Sequence, residues 1–339
     1  MAMDRMTVTV FGGSGFVGRH LVRRLAADGK VIRVAVRDIE AANYLRPMGD
    51  VGQIVPIAAD LGDNKSVAAA VEGADSVVNL VGLLYESGSQ NFEQIHKLGA
   101  TNVARASADA GVLKLVQLSA IGASRSSFSA YARTKAAGEK NVKKAFPGAT
   151  VIRPSIIFGP EDKFFNLFAG ISRLSPLIPV FGCPSFPRIN IFSDKGPLNI
   201  DFYGEGGTKF QPIYVGDVAD AIVAALESEE ANGNIYEIGG PKIYTSKEMM
   251  ELLLSTIGRK RILAPIPFWY LNLIAYFMEF LPKPMLTRDQ VMLLRRDNVV
   301  GSRSKKLHDL GVSATPAEAI LPAYLARFRR PRSAMLETS

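Results

Sequence analysis

Three glycines at intervals of three residues follow the first strand-like segment of the chain. Residues 7–11 form a β-branched run, and Gly12-Gly13-Ser14-Gly15-Phe16-Val17-Gly18 comes directly after it, before a helical pattern. In such a turn the first glycine permits the tight bend, the second lets the backbone approach a pyrophosphate, and the third lets helix and strand pack closely. Free amides and partial positive charge at the helix N-terminus favour phosphate. The motif therefore predicts a dinucleotide site formed by these seven residues.

Strand-like and helix-like segments alternate throughout residues 1–157. Strands are predicted at 7–11, 31–36, 53–57, 76–80, 114–118 and 149–153, and helices at 17–28, 39–45, 64–71, 92–110 and 130–145. Apolar runs without polar alternation are typical of strands buried on both faces, with the helices as crossovers between parallel strands. Right-handed crossovers then give an α/β fold with a doubly wound parallel Rossmann sheet.

The rest of the chain has a different residue composition and pattern. Residues 174–212 are rich in proline and glycine, which is typical of loops and short strands that cover a site. We predict an NADP(H)-binding Rossmann domain at 1–157 and a smaller, mostly C-terminal substrate or lid region at 158–330. Residues 210–240 are expected to return to the Rossmann core, and 331–339 to form a flexible tail.

The residues after the second strand bear on the choice of cofactor. An acid at this position holds the ribose 2′-hydroxyl of NAD, whereas an arginine accommodates the 2′-phosphate of NADP. Arg37 is the first residue past the strand, and Arg19 follows the last motif glycine. These two predict NADP(H), with NAD(H) as the alternative if Asp38 takes the ribose position. Asp60 and Leu61 are expected near the adenine, with Val81 and Gly82 lining the cofactor cleft.

Tyr131 and Lys135 stand four residues apart on a predicted helix. That spacing puts both on one face, where the ammonium can lower the pKa of the phenol and hold the ribose. The phenol could then exchange a proton with a carbonyl or alcohol. Ser119 follows the fifth strand and could hydrogen-bond the same substrate oxygen. Ser119, Tyr131 and Lys135 are therefore the candidate catalytic residues, the last two also contacting cofactor.

Together these motifs resemble the short-chain dehydrogenase/reductase superfamily in its extended or atypical branch, of the NAD-dependent epimerase/dehydratase type. Further matching stretches are His96 to Asn102, Arg153-Pro154-Ser155 with Gly159, and Gln211 to Val215 with Asp217 to Ala219. The resemblance implies that Pro154 and Ser155 also contact the cofactor.

Residues Ile152 to Asn166 carry a narrower resemblance. They are similar to the dehydrogenase-like accessory subunits of respiratory complex I, the ninth subunit of its alpha subcomplex, and their bacterial relatives. That resemblance implies tightly held NADPH without demonstrated turnover, peripheral attachment near the membrane, and a link to ubiquinone metabolism. This chain nevertheless retains Ser119, Tyr131 and Lys135, and its 183–209 stretch is longer than the family's usual linker.

Composition limits the other possibilities. The 339 residues include one cysteine and three histidines without ligand spacing, so we expect neither disulfides nor a metal site. The net charge of +8 favours acidic partners, but its basic clusters lack interleaved aromatics, so no nucleic acid is expected. The chain runs from Met1 straight into a strand pattern, which predicts a cytoplasmic protein, either free or peripheral on the inner face of an energy-transducing membrane.

Residues 262–281 form an apolar run of bilayer-spanning length. Two prolines and two polar residues interrupt it, so we predict no transmembrane helix. One stripe of the predicted helix would contain Trp269, Tyr270, Leu273, Ile274, Phe277 and Phe280. Two interpretations stay open: a helix packed on its own domain, or a surface helix that meets a membrane or a partner such as complex I subunits, with nearby basic residues at lipid phosphates.

Three functions are therefore compatible with the residues, and the third of them is a nucleotide-gated regulatory binding protein without chemistry. The first is an NADP(H)-binding protein of the complex I accessory type or linked to quinone metabolism, with a structural or sensory nucleotide. The second is an active oxidoreductase or epimerase that acts on a small carbonyl, a lipid-like molecule or a sugar nucleotide.

Overall fold

Short buried strands and the helices between them build the protein. The computed structural model describes residues 5–88, 90–184, 188–193 and 196–329. The strands are β1 (Thr7–Phe11), β2 (Val31–Val36), β3 (Ile54–Ala58), β4 (Ser76–Asn79), β5 (Lys114–Leu118), β6 (Thr150–Pro154), β7 (Ile157–Phe158), β8 (Leu177–Phe181), β9 (Arg188–Ser193), β10 (Gly196–Asp201), β11 (Lys209–Phe210), β12 (Ile213–Tyr214), β13 (Ile235–Ile238), β14 (Tyr244–Thr245) and β15 (Ile262–Ile266). The α-helices are α1 (Phe16–Ala27), α2 (Asn64–Val71), α3 (Ala100–Asp109), α4 (Ala130–Ala145), α5 (Phe164–Leu174), α6 (Val215–Glu227), α7 (Ser246–Thr256), α8 (Phe268–Met278), α9 (Arg288–Leu294) and α10 (Ala317–Leu325).

A seven-stranded sheet in the order β13-β6-β5-β4-β1-β2-β3 forms the centre of the fold. Every neighbouring pair in it is parallel, so the carboxyl ends of all seven strands lie at one edge. The strand order reverses direction between β1 and β4, which is where open α/β sheets bind ligands. The predicted doubly wound parallel sheet is confirmed.

Two helical predictions differ from the structure in detail. Residues 39–45 belong to a 3-10 helix at Glu40–Met48, with Pro47 inside it. The predicted helix at 92–110 is divided into a π-helical turn at Glu93–Gly99 and α3. Close packing accompanies this change: a Cβ on Gly138 of α4 would lie 2.0 Å from the His96 carbonyl oxygen. A single π-helical turn is too short for the apolar spacing of the sequence to distinguish it from α-helix.

The C-terminal half has its own apolar core and also returns to the sheet. The core of this half includes Phe158, Phe165, Leu253 and Leu321, all fully buried. The return consists of β13, which pairs with β6, and α6, which packs on α1. Strands β9 and β10 pair antiparallel within the proline- and glycine-rich stretch. The domain boundary at 157 stays a prediction, and the predicted tail at 331–339 lies outside the described residues.

The apolar run at 262–281 consists of two elements. β15 pairs in parallel with β8, and α8 follows after Pro267. None of the helices within the described residues is both long enough and apolar enough to span a bilayer. In α8, Leu271 and Ala275 are buried, whereas a set of large apolar side chains faces outward: Trp269, Tyr270, Leu273, Tyr276 and Phe277. With Phe280 just after the helix, these residues are called the α8 face below.

Candidate nucleotide site

The glycine turn between β1 and α1 has the geometry of a phosphate cradle. Gly12 has φ of +76°, and a Cβ on Gly18 would lie 2.4 Å from the Gly13 carbonyl oxygen. Gly15 is the N-cap of α1, and no side chain caps the helix there. The first amides of α1 are therefore available to an anion, and the absence of side chains leaves room for it. The remaining members Ser14, Phe16 and Val17 complete the turn, so the residues present fit a dinucleotide pyrophosphate.

Arg37 and Asp38 at the end of β2 have different roles. Arg37 is exposed, and the Gln90 side chain, with its amide oxygen facing the guanidinium, accepts a hydrogen bond from Arg37 Nη2 at 3.0 Å. Asp38 instead caps the 3-10 helix that follows, because its Oδ1 accepts from the Ala41 amide at 3.1 Å. Both side chains are exposed at the end of β2, and they differ in what they bond: a side-chain amide for Arg37 and a backbone amide for Asp38.

Arg19 is packed beside the glycine turn. Its guanidinium lies 5.1 Å from the centre of the Tyr44 ring and 3.4 Å from a Glu161 oxygen. The Tyr44 hydroxyl donates to the Ser14 carbonyl oxygen at 2.7 Å, so the 3-10 helix after β2 covers the turn. Tyr44 and Glu161 were not apparent as site neighbours from sequence, because they are 30 and 142 residues from their partners.

Residues after β3 and β4 line the same edge of the sheet. The Asp60 carboxylate is exposed and accepts from the Gly62 amide at 2.8 Å, whereas the Leu61 side chain is buried in the core. A Cβ on Gly12 would lie 3.2 Å from Val81, and one on Gly82 would lie 3.0 Å from the Lys135 ammonium. The structure therefore places Val81 at the glycine turn and Gly82 at the candidate catalytic lysine.

Tyr131 and Lys135 lie on one face of α4, as their spacing predicts. The Lys135 ammonium is 5.9 Å from the centre of the Tyr131 ring and donates to the Leu118 carbonyl oxygen at 3.5 Å. Burial, with a smaller contribution from the Asp289 carboxylate, raises the pKa of Tyr131 to about 12. Burial also lowers the pKa of Lys135 to about 8, against the opposing effect of Glu139. The phenol is therefore neutral at physiological pH, and the ammonium loses its charge at a lower pH than an ordinary lysine does.

His96 is a site residue that the sequence showed only as part of a matching stretch. Its Nε2 accepts from the Leu83 amide at 2.9 Å, so Nδ1 carries the proton and donates to the Thr134 hydroxyl at 3.2 Å. Burial, with a smaller contribution from the Lys135 charge, lowers the pKa of His96 to about 2. Its ring meets the Tyr131 ring edge-on at 5.1 Å. A neutral, fully bonded histidine therefore holds the β4 loop against α4.

Ser119 takes part in a buried ionic network. Its hydroxyl donates to Glu139, which lies one turn beyond Lys135 in α4. Both Glu139 oxygens accept from Arg153, at 2.9 Å from Nε and 2.6 Å from Nη2, and Arg153 also donates to Glu237 at 3.2 Å. The structure thus brings Tyr131 and Lys135 together, while it directs the Ser119 hydroxyl toward Glu139.

Pro154 and Ser155 lie at the carboxyl end of β6. Pro154 is buried, and its carbonyl oxygen accepts from the Ile121 amide at 3.0 Å. The Ser155 hydroxyl donates to Asn298, at 2.6 Å from the side-chain oxygen. This end of β6 is therefore at the expected edge, but the Ser155 hydroxyl is bonded to the C-terminal part of the chain.

The fold and this edge of the sheet define a class of protein. Residues 8–239 match the NAD dependent epimerase/dehydratase family, and the chain belongs to that family.

Individual relatives refine the comparison. The chain is 33% identical to the mitochondrial NADH dehydrogenase (ubiquinone) 1 alpha subcomplex subunit 9 of Arabidopsis thaliana, over 97% of this chain and 79% of that protein. It is 35% identical to a ceramide reductase of Caulobacter vibrioides over 53% of this chain and 56% of the relative. Among solved structures, a dTDP-glucose 4,6-dehydratase of Streptomyces venezuelae with NAD bound superposes with a TM-score of 0.68, at 18% identity and with coverage of 95% and 96%. This last likeness supports the fold alone.

Proposed function

We propose that the chain binds NADP(H), with the pyrophosphate at the Gly12–Gly18 turn and the 2′-phosphate at Arg37 and Arg19. The choice of NADP(H) rests on one observation: the two charged residues at the end of β2 make different hydrogen bonds. Both side chains are exposed, but Asp38 accepts from a backbone amide, while the Arg37 guanidinium bonds the neutral Gln90 amide and has no carboxylate partner among the described residues. An arginine supplies the charge-assisted hydrogen bonds that a phosphate needs and a ribose hydroxyl does not.

The other contacts follow from the same edge of the sheet. Asp60 and Leu61 would lie near the adenine, and Val81 and Gly82 along the ribose and nicotinamide. Lys135 would hold the nicotinamide ribose, and Pro154 and Ser155 would border the nicotinamide. When bound, the nucleotide would supply a hydride donor or acceptor beside Tyr131.

We infer that the nucleotide is held tightly, in a protein of the complex I accessory-subunit type or one associated with quinone metabolism. The similarity to subunit 9 over nearly the whole chain supports this role. Two features of the site agree with slow or absent turnover. The Tyr131 phenol has a pKa of about 12, and the Ser119 hydroxyl is bonded to Glu139.

The second candidate is an active NADP-dependent enzyme, and the rim of the site favours a lipid-like carbonyl over a small or sugar-nucleotide substrate. Leu84, Phe128 and Met292 are 55%, 81% and 41% exposed. They lie on the β4 loop, just before α4 and on α9, three elements that hydrogen bonds join. An exposed apolar rim fits an acyl or isoprenoid chain. In this reaction Tyr131 would give its proton to the carbonyl oxygen as the hydride reaches the carbon, with Lys135 beside the phenol.

The α8 face supports a peripheral attachment. Trp269, Phe277 and Phe280 are 61%, 63% and 73% exposed, and Lys260 and Lys283 are exposed nearby in sequence. A helix that is apolar on all sides is normally buried in a core or in lipid. We propose that this face meets the inner surface of an energy-transducing membrane, beside complex I subunits, with the lysines at lipid phosphates.

One experiment separates the two candidate functions. The protein is loaded with NADPH, a short-tailed ubiquinone analogue or a long-chain ketone is added, and the absorbance of the reduced nicotinamide is followed. A tightly held cofactor without turnover stays reduced in both cases. Oxidation that Tyr131→Phe abolishes, with NADPH affinity retained, would establish the enzyme instead. Lys135→Ala should weaken both binding and turnover, and oxidation that persists in Tyr131→Phe would contradict the role of the phenol.

A further inference from the structure

A carboxylate from the C-terminal part of the chain caps the helix that holds Tyr131 and Lys135. Asp289 accepts from the Ala130 amide at 2.6 Å, the Tyr131 amide at 3.2 Å and the Ser129 hydroxyl at 2.7 Å. The Ser129 hydroxyl itself accepts from the Ala132 amide at 3.2 Å. The first turn of α4 therefore has a local cap and a second cap that is 158 residues away from Tyr131 in sequence.

The neighbours of Asp289 connect α9 to two other elements. Gln290 Nε2 donates to the Leu84 carbonyl oxygen at 3.2 Å, in the loop after β4. On the other side, the Arg288 amide and Nε donate to the Glu279 carboxylate at 2.7 and 2.8 Å, directly after α8. The Arg288 guanidinium also lies 5.4 Å from the Tyr276 ring. α9 is thus the element that joins α4, the β4 loop and the α8 face.

We propose that Asp289 is a positioning residue of the nucleotide site. It holds the first turn of α4, and with it Tyr131, in a fixed position relative to helices α8 and α9, which are together called the α8–α9 unit below. This proposal rests on the nucleotide site proposed above. A carboxylate at a helix N-terminus makes strong hydrogen bonds and interacts favourably with the helix dipole. Because one of these bonds goes to the backbone amide of Tyr131, its loss would release the turn that fixes the phenol.

The same contact has an electrostatic consequence. The Asp289 charge adds to burial in raising the pKa of Tyr131. This contribution is smaller than that of burial, and it depends on the charge of the Asp289 carboxylate. Replacing Asp289 by asparagine would remove the charge but keep an oxygen that can accept from the Ala130 amide, whereas alanine would remove both.

A purely stabilising cap is the alternative, and Asp217 provides a matched control. Asp217 lies on α6, and its carboxylate accepts from the Thr315 amide at 2.6 Å and from the Thr315 hydroxyl at 2.8 Å. It is a long-range tertiary contact of similar design. Its partner belongs to the segment before α10, so Asp217→Asn should lower the melting temperature without a direct effect on α4.

The single tryptophan of the chain, Trp269, makes the test direct because it lies on α8. Its emission overlaps the absorption of reduced nicotinamide, so energy transfer reports the distance from α8 to bound NADPH.

The experiment measures transfer efficiency, NADPH affinity and melting temperature for wild type, Asp289→Ala, Asp289→Asn and Asp217→Asn. We expect Asp289→Ala to weaken NADPH binding indirectly, by about five- to tenfold, which is the size of one ordinary hydrogen bond, and to lower transfer efficiency. Asp289→Asn should recover part of both, and Asp217→Asn should change only the melting temperature.

Two results would overturn the proposal or separate it from the nucleotide assignment. If both Asp289 variants change only the melting temperature, as Asp217→Asn does, Asp289 is a stabilising cap and nothing more. If wild type binds no NADPH, the nucleotide assignment fails instead. The positioning role is then tested by amide hydrogen exchange of residues 129–135 in the absence of nucleotide. Faster exchange in Asp289→Asn, but not in Asp217→Asn, supports that role. Unchanged exchange overturns it.

Discussion

The glycine turn and the α8–α9 unit are built on opposite principles. In the turn, seven consecutive residues form the cradle, and a Cβ on Gly18 would overlap two neighbouring carbonyl oxygens, at 2.4 and 2.5 Å. In the α8–α9 unit, the decisive contacts join residues far apart in sequence, such as Asp289 with Tyr131, and the α8 face remains exposed. The first region is specified locally and, on our proposal, binds the nucleotide. The second is specified by tertiary packing and, on our proposal, serves a membrane.

The largest expected effect comes from Gly18→Ala. Its Cβ would force the turn apart, so NADPH affinity should fall by at least about 100-fold, as when a pyrophosphate loses several backbone hydrogen bonds. Isothermal titration calorimetry measures the change. Gly170→Ala is the control, since a Cβ on this helical glycine meets nothing within 4 Å. Gly18→Ala protein should still bind liposomes like wild type, and unimpaired NADPH binding would show that the turn is not the site.

The reciprocal test removes part of the α8 face. Trp269→Ser and Phe277→Ser should each weaken co-sedimentation with anionic liposomes by at least about tenfold, because each removes roughly 1.5–3 kcal/mol of apolar burial. NADPH affinity should stay unchanged. Leu113→Ser, at a side chain that is 67% exposed outside this face, is the matched control. The charged part of the binding should weaken with salt, and the apolar part should not. The membrane role is contradicted if the protein binds neither anionic nor neutral liposomes and the two variants lose thermal stability instead. In that case α8 is part of the core.

The same contrast between local and long-range contacts explains which features of these regions the sequence predicts. The glycine turn, the strand positions of the first half and the Tyr131–Lys135 face are local patterns, so spacing suffices to find them. The Ser119–Glu139 bond, the neutral His96 and the Asp289 cap depend on which loops meet after folding. The exposure of α8 could not be predicted either, because a helix that is apolar on all sides has the same residue pattern whether protein or lipid covers it.

A smaller effect concerns pH. The pKa of Lys135 is lowered to about 8, so its positive charge is present below that pH and is lost as pH rises through it. If the charge helps to hold the nucleotide, NADPH affinity should fall by about three- to fivefold between pH 7 and 9.5, a range in which the 2′-phosphate is already ionised. Lys135→Met should bind more weakly and without this pH dependence, whereas Lys135→Arg keeps the charge. A pH dependence that survives in Lys135→Met belongs to another group.

The most direct measurement of the central claim compares NADPH and NADH binding to nucleotide-free protein by calorimetry. A charge-assisted contact to the 2′-phosphate contributes on the order of 1.5–3 kcal/mol, so NADPH should bind at least about tenfold more tightly. Arg37→Ala should remove most of that preference, while Arg23→Ala, at an exposed arginine on α1, should leave it intact. Equal affinity for the two nucleotides, or a preference that Arg37→Ala does not change, would contradict the account.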